Sequence, residues 1–136
     1  MITNKKHITQ FTKDEYALIK QYLNNSINSC LKPTKHFEEM CDKRKIFKQN
    51  IKNVLNNYDI IEFNYDKGCK VVIRGKANNK YDLCISIDIL NNKLVTAWMN
   101  YNDDTHITID MSNYNNKIRI QDVINTYKII NNKYLN

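Results

Sequence analysis

Glycine and proline are nearly missing, with two of the first and one of the second. A glycine-rich phosphate cradle is thereby excluded, since the lone "RGK" at 74–76 is far too short to be one. No Gly-x-Ser-x-Gly elbow is present either. No apolar run approaches the length that spans a bilayer. The opening "MITNKKHITQ" has basic residues with no apolar stretch behind them, so it does not read as a signal peptide. Cysteines stand at 30, 41, 69 and 84, with no CxxC pair and no zinc-like spacing. Three of them fall in apolar patterns, where a free thiol behaves as a small hydrophobe. No two histidines share a metal-binding helical spacing, and Asp103 and Asp104 alone offer too few oxygens for a hard cation. Neither a metal nor a cofactor is expected, and the setting reads as reduced and cytoplasmic. Delivery into a target cell within a larger exported protein stays open.

What is present is globular. Hydrophobic residues make up 42% and charged residues 26% of 136 positions, enough for one domain with its own core. About one residue in six is Asn, which with Lys, Ile and Tyr reads as the bias of an AT-rich genome rather than as structure. The formal net charge is +7. Residues 1–57 hold about eleven Lys/Arg against five Asp/Glu, whereas 58–136 are nearly balanced. A basic end of this kind suits a phosphate backbone or an acidic protein partner.

The chain divides by period into a basic helical part (1–57), an antiparallel sheet (58–110) and a C-terminal helical segment (111–136). "TKDE" sets Thr12 and Glu15 as a capping box ahead of a stripe of Tyr16, Ile19, Leu23 and Ile27, with Phe11 and Tyr16 placed as a staple. A second helical region opens near His36, and a break near Lys45 reconciles Arg44, which falls on the apolar side, with Ile46, which falls off it. "DIIEFNY", "KVVIRGK", "YDLCISIDIL", "KLVTAWMNY" and "HITID" read as five strands. Asn91-Asn92 reads as a two-residue turn, pairing Ile87 with Thr96 and Ile85 with Trp98 on the buried face. Ile120, Val123, Ile124, Tyr127 and Ile130 form a last helical stripe. The expected class is α+β: two to three N-terminal helices on a four- to five-stranded antiparallel sheet, with a C-terminal helix.

Groups able to handle protons and phosphates are scattered along this frame. His36 opens the second helix, with Lys43 and Arg44 near its end. Arg74 sits in the second strand, Thr96 and Asn100 in the fourth, His106 at the fifth, and Tyr114 beyond it. Metal-independent RNA cleavage needs a base for the ribose 2′-OH, an acid for the leaving 5′-oxygen, and donors for the phosphorane charge. These residue types suffice for it. Each also has a plain structural alternative: a helix-start histidine, an arginine paired with Glu38, Glu39 or Asp42, an ordinary strand threonine, a turn-capping histidine.

"KHFEEMCDKRKIFKQNIKNVL", followed by short strands and "LVTAW", shows a His, an Arg eight residues later, an Ile opening a new helix, and Val-Thr before an aromatic. His36, Arg44, Ile46, Ile51, Val54, Leu55, Val95, Thr96 and Trp98 carry the pattern. Residues 36–101 thereby resemble small bacterial domains similar to the BECR (barnase–EndoU–colicin–RelE) ribonuclease toxins. The resemblance implies helices packed on an antiparallel sheet whose open face receives RNA. It implies His36 as acid or base, Arg44 as a phosphate contact and Thr96 as a sheet-floor hydroxyl, although active sites of that group vary and no fixed set transfers. The expected function is a metal-independent, toxin-like endoribonuclease acting on tRNA or another structured RNA. Catalysis would fall to His36, His106 and Arg44, and substrate binding to Lys43, Arg74, Thr96, Asn100 and Tyr114. An acidic immunity protein or antitoxin is the implied partner. The alternative is a non-enzymatic phage or mobile-element module docking on an acidic protein or nucleic acid.

Overall fold

The computed structural model describes residues 3–104 and 110–135. In chain order the elements are β1 (Lys5–His7), α1 (Lys13–Asn28), β2 (Lys32–Pro33), α2 (Lys35–Arg44), α3 (Lys48–Asn56), β3 (Asp59–Tyr65), β4 (Cys69–Lys76), β5 (Tyr81–Asp88), β6 (Lys93–Tyr101) and α4 (Ile120–Leu135). The class is α+β as expected, but the sheet has six strands among the described residues, in the order β1-β3-β4-β5-β6-β2. It is mixed rather than antiparallel, because β2 runs parallel to β6 at Lys93 and Leu94. Neither β1 nor β2 was expected, being three and two residues long. The expected strand "HITID" falls almost wholly outside the described residues.

Local chemistry accounts for the helices. Thr12 and Glu15 form the expected capping box of α1, yet the buried face runs through Glu15, Ile19, Leu23 and Ser26. Tyr16, the expected staple partner of Phe11, is exposed and does not belong to that buried face. Lys45 adopts a left-handed conformation (φ 55°) and ends α2, and the Ile46 amide bonds back to the Cys41 carbonyl. That is the expected break, and it lets Ile46 turn into the core while Phe47 is left exposed. Gly75 explains "RGK" without phosphate. A Cβ there would lie 2.5 Å from the Asn57 carbonyl, where the end of α3 crosses β4.

The core lies on one face of the sheet. Ile60, Ile73, Ile85 and Ala97 form one row across β3 to β6, and Phe63, Val71, Ile87 and Leu94 belong to the next. Ile19, Leu23, Phe37, Val54, Ile120 and Ile124 from the four helices join the same buried cluster. The register expected at Asn91-Asn92 is wrong by two residues at the turn and by one beyond Val95. Asp88 accepts from the Leu90 and Asn91 amides and shapes a longer turn, with Asn92 at φ 55°. Val95 is then a bulge, so Ser86 pairs with Thr96 and Cys84 with Trp98. Thr96 and Trp98 consequently leave the core for the opposite, open face.

A buried ion pair fastens the N-terminus. Lys6 Nζ donates to Glu15 Oε1 at 2.6 Å and to the Ile118 carbonyl at 2.7 Å, while Glu15 accepts from the Thr12 and Ile120 amides. Burial alone would raise the Glu15 pKa, but the Lys6 hydrogen bond, the two amides and the Lys6 charge outweigh it and hold the carboxyl below its ordinary value. Its stabilising contribution is therefore present above the unfolded carboxyl pKa of about 4.3 and lost as pH falls through the lower folded value. Lys6→Met, which leaves the carboxylate buried and alone, is expected to cost about 3–5 kcal/mol in urea denaturation at neutral pH. The loss should shrink toward pH 3.

Candidate active site on the open sheet face

Two bulges aim side chains onto the open face. Ile61 is the extra residue in β3, so Ile60 stays in the core while Glu62 emerges opposite Val72. Val95 plays the same part in β6 for Thr96. One row then crosses five strands: His7, Glu62, Val72, Ser86, Thr96. Beside it lie Arg74, Cys84 and Trp98, and beyond them Asp82 and Asn100.

Glu62 is the chemical centre of this face. Tyr114, in the segment that precedes α4, donates its hydroxyl to Glu62 Oε1 at 2.8 Å. The Tyr114 ring stands edge-on to His7, with centroids 5.1 Å apart. Burial first, and the Glu62 carboxylate second, push the phenol pKa well above its ordinary value, so Tyr114 remains a donor. The other Glu62 oxygen has no hydrogen-bond partner among the described residues. Burial lowers the His7 pKa, offset in part by the charge of Glu62. His7 Nδ1 accepts from the Thr9 amide at 3.2 Å, so the neutral ring carries its proton on Nε2. In that state it serves as a hydrogen-bond donor, not as an imidazolium acid.

Two cavities flank this centre. The larger, about 610 Å³, is lined by Lys5, Lys70, Asp66, Asn64, Ser86 and Thr96 among others. The smaller, about 190 Å³, is lined by His7, Arg74, Cys84, Asn100 and Tyr114. Glu62, Val72 and Trp98 border both. Burial raises the Cys84 thiol to about 11, so it is no nucleophile at neutral pH.

The residues singled out from sequence separate into groups. Arg74, Thr96, Asn100 and Tyr114 meet on the open face. Arg74 is already engaged, through Nε with Asp82 at 2.8 Å and through Nη2 with the Tyr101 and Asp104 carbonyls. His36 and Lys43 are exposed on α2. Arg44 reaches the Ala97 carbonyl at 2.5 Å, and Thr34 Oγ1 donates to the Val95 carbonyl at 3.2 Å, so α2 covers the free edge of β6. His106 lies outside the described residues. The basic excess of residues 1–57 sits mainly on helices packed against the other face, and from it Lys5 reaches the larger cavity. Sequence reasoning missed His7, Glu62, Lys5 and Lys70. Among the described residues no cluster of three or more His, Cys, Asp or Glu could hold a metal ion, and no helix is long and apolar enough to cross a membrane.

The segment joining α2 to β6 also has a counterpart elsewhere. Residues 34–99 match the family model DUF4258, a domain of unknown function. No curated protein and no solved structure matches the chain. The match takes in Glu62, Arg74, Thr96 and Trp98 and leaves out His7 and Tyr114. A titration followed by NMR should give His7 a midpoint below about 6.5. Glu62→Gln should lower it further, because the carboxylate charge that favours the imidazolium is gone. A midpoint that rises in the variant would remove Glu62 from the neighbourhood of His7.

Proposed function

We propose that this protein is a metal-independent, toxin-like endoribonuclease that receives RNA on the open sheet face, with Glu62 as the general base. The carrying observation is the Glu62 carboxylate, oriented through one oxygen by Tyr114 and bare at the other, between two polar cavities. The bare oxygen takes the ribose 2′-OH proton, and the 2′-oxygen attacks phosphorus to give a 2′,3′-cyclic phosphate. The Nε2–H of His7 and the hydroxyl of Thr96 donate to the phosphoryl oxygens, and Lys5 and Lys70 offset their charge. The leaving 5′-oxygen takes its proton from a second group, and His36 and His106 are the residues to test for supplying it. On this reading Arg44 acts by holding α2 on β6, and Lys43 by attracting RNA over a longer range. An acidic immunity protein or antitoxin would cover the basic surface, and tRNA is the first substrate to try.

One observation favours a second reading, binding without turnover. Arg74 is committed to Asp82 and to the turn after β6, so the cation nearest the smaller cavity already has partners. A module of this kind would bind nucleic acid in a salt-sensitive way and leave it intact.

The two readings part in a cleavage assay with tRNA and total RNA in EDTA. Wild type is expected to yield cyclic-phosphate ends, and Glu62→Gln to be about 10²- to 10⁴-fold slower. His36→Ala and His106→Ala, assayed beside it, test for the acid, and His7→Asn tests the donor to the phosphoryl oxygens. Intact RNA in every wild-type reaction, or full activity in Glu62→Gln, would overturn the assignment of the base.

A further inference from the structure

We propose that Trp98 is a base-stacking wall between two nucleotide subsites, so that the ligand is a single-stranded RNA laying two consecutive nucleotides across the open face. This deepens the reading of the same site as a ribonuclease. Trp98 is half-buried in β6, between Thr96 and Asn100 on the same face and opposite Cys84 on β5. Among the described residues the four α-helices contribute to the core cluster on the other face, and none of them covers this one. A large aromatic surface is thus left beside polar neighbours, with Val72 and Cys84 as its apolar floor.

The two cavities decide what it faces. They share Trp98, Val72 and Glu62, so the indole stands at their common boundary with the carboxylate across from it. The smaller, about 190 Å³, lies below the ~300–1,000 Å³ usual for ligand pockets and suits one ring system. Its polar lining includes Asn100, His7 and Tyr114, groups that bond base edges, beside Glu62 and the already paired Arg74. The larger, about 610 Å³, has room for a whole nucleotide, with Lys5 and Lys70 to meet a phosphate. Asp66 and Glu62 on its wall limit the positive potential there, so affinity must rest on stacking and amide contacts more than on charge. Those contacts need unpaired, splayed bases, which a duplex does not offer. The phosphodiester joining the two nucleotides then crosses the boundary beside Glu62.

Trp98 is the single tryptophan of the chain, so intrinsic fluorescence reports this position alone. The probe is a 2′-O-methyl RNA heptanucleotide of mixed sequence, which lacks the nucleophilic hydroxyl and cannot be cleaved by this chemistry. It is expected to quench Trp98 fluorescence of the full chain saturably, while the same strand annealed to its complement does not. By anisotropy of the labelled strand, Trp98→Ala should bind about 5- to 150-fold more weakly, and Trp98→Phe should recover most of that loss. Circular dichroism of both variants checks that the sheet is intact, and if Trp98→Ala unfolds, Trp98→Phe and the wild-type quenching still decide. Unchanged fluorescence, equal quenching by the duplex, or wild-type affinity in a folded Trp98→Ala would each overturn the proposal. Because the probe is uncleavable, stacking without RNA cleavage would sink only the ribonuclease reading. Cleavage that Trp98→Ala leaves intact would sink only this one.

Discussion

The open face depends on one buried ion pair. Lys6 and Glu15 meet at 2.6 Å with side chains almost closed to solvent, and each also bonds backbone: Lys6 donates to the Ile118 carbonyl, and Glu15 accepts from the Thr12 and Ile120 amides. Glu15 belongs to the capping box of α1, and it also receives the Ile120 amide at the start of α4. Lys6 belongs to β1 and donates to the Ile118 carbonyl. A three-residue strand has little pairing energy of its own, so the ammonium acts as the anchor that holds β1 beside β3. Once Lys6 points inward, the alternation of a strand sends Lys5 and His7 outward. The same bond draws in the segment that carries Tyr114. His7, Glu62 and Tyr114 come together because a lysine and a glutamate are buried elsewhere.

A second constraint, the period of two along a strand, would by itself have hidden half of this site. Ile60 and Glu62 are two residues apart, as are Leu94 and Thr96, and regular strands would place each pair on the same face. Both pairs are split by a bulge, at Ile61 and at Val95. The apolar member keeps its place in the core and the polar member turns to the open face. The bulges stand on the two outer strands of the β3–β6 unit, and they aim Glu62 and Thr96 into one row from opposite ends. An extra residue in a strand gives up ladder hydrogen bonds. Such features concentrate where a side chain must be re-aimed.

Much of the frame was legible in the sequence. The Thr12–Glu15 box, the break at Lys45 and the alternation of Leu83, Ile85 and Ile87 against Cys84, Ser86 and Asp88 are local signals, and local chemistry decides them. The misplaced parts depend on contacts distant in sequence. β1 is "KKH", which carries no hydrophobic alternation and becomes a strand through Glu15 and Ile118. The Asn91-Asn92 turn was located correctly but counted too short, because Asp88 reads as an outward strand residue when it is the cap of the turn. One residue of slip exchanged the faces of Thr96 and Trp98. With it went the expectation that Trp98 lies in the core. Glu62 was hidden for the same reason, since nothing in "DIIEFNY" announces the bulge at Ile61.

Arg44 shows a second part that an arginine at this spacing plays. An arginine eight residues beyond the start of a short helix suggests a cation for phosphate. In the structure, α2 is tied to β6 by Thr34 at its start and Arg44 at its end, and the carbonyls they take are those of Val95 and Ala97. These two carbonyls flank Thr96 on the strand edge that β2 leaves unpaired. An uncovered edge there would invite another strand to pair, and a second strand would crowd the face on which Thr96 and Trp98 stand. Arg44 and Val-Thr-x-Trp are parts of one device that closes an edge and presents a face. His36 sits exposed on that helix without an assigned part in it.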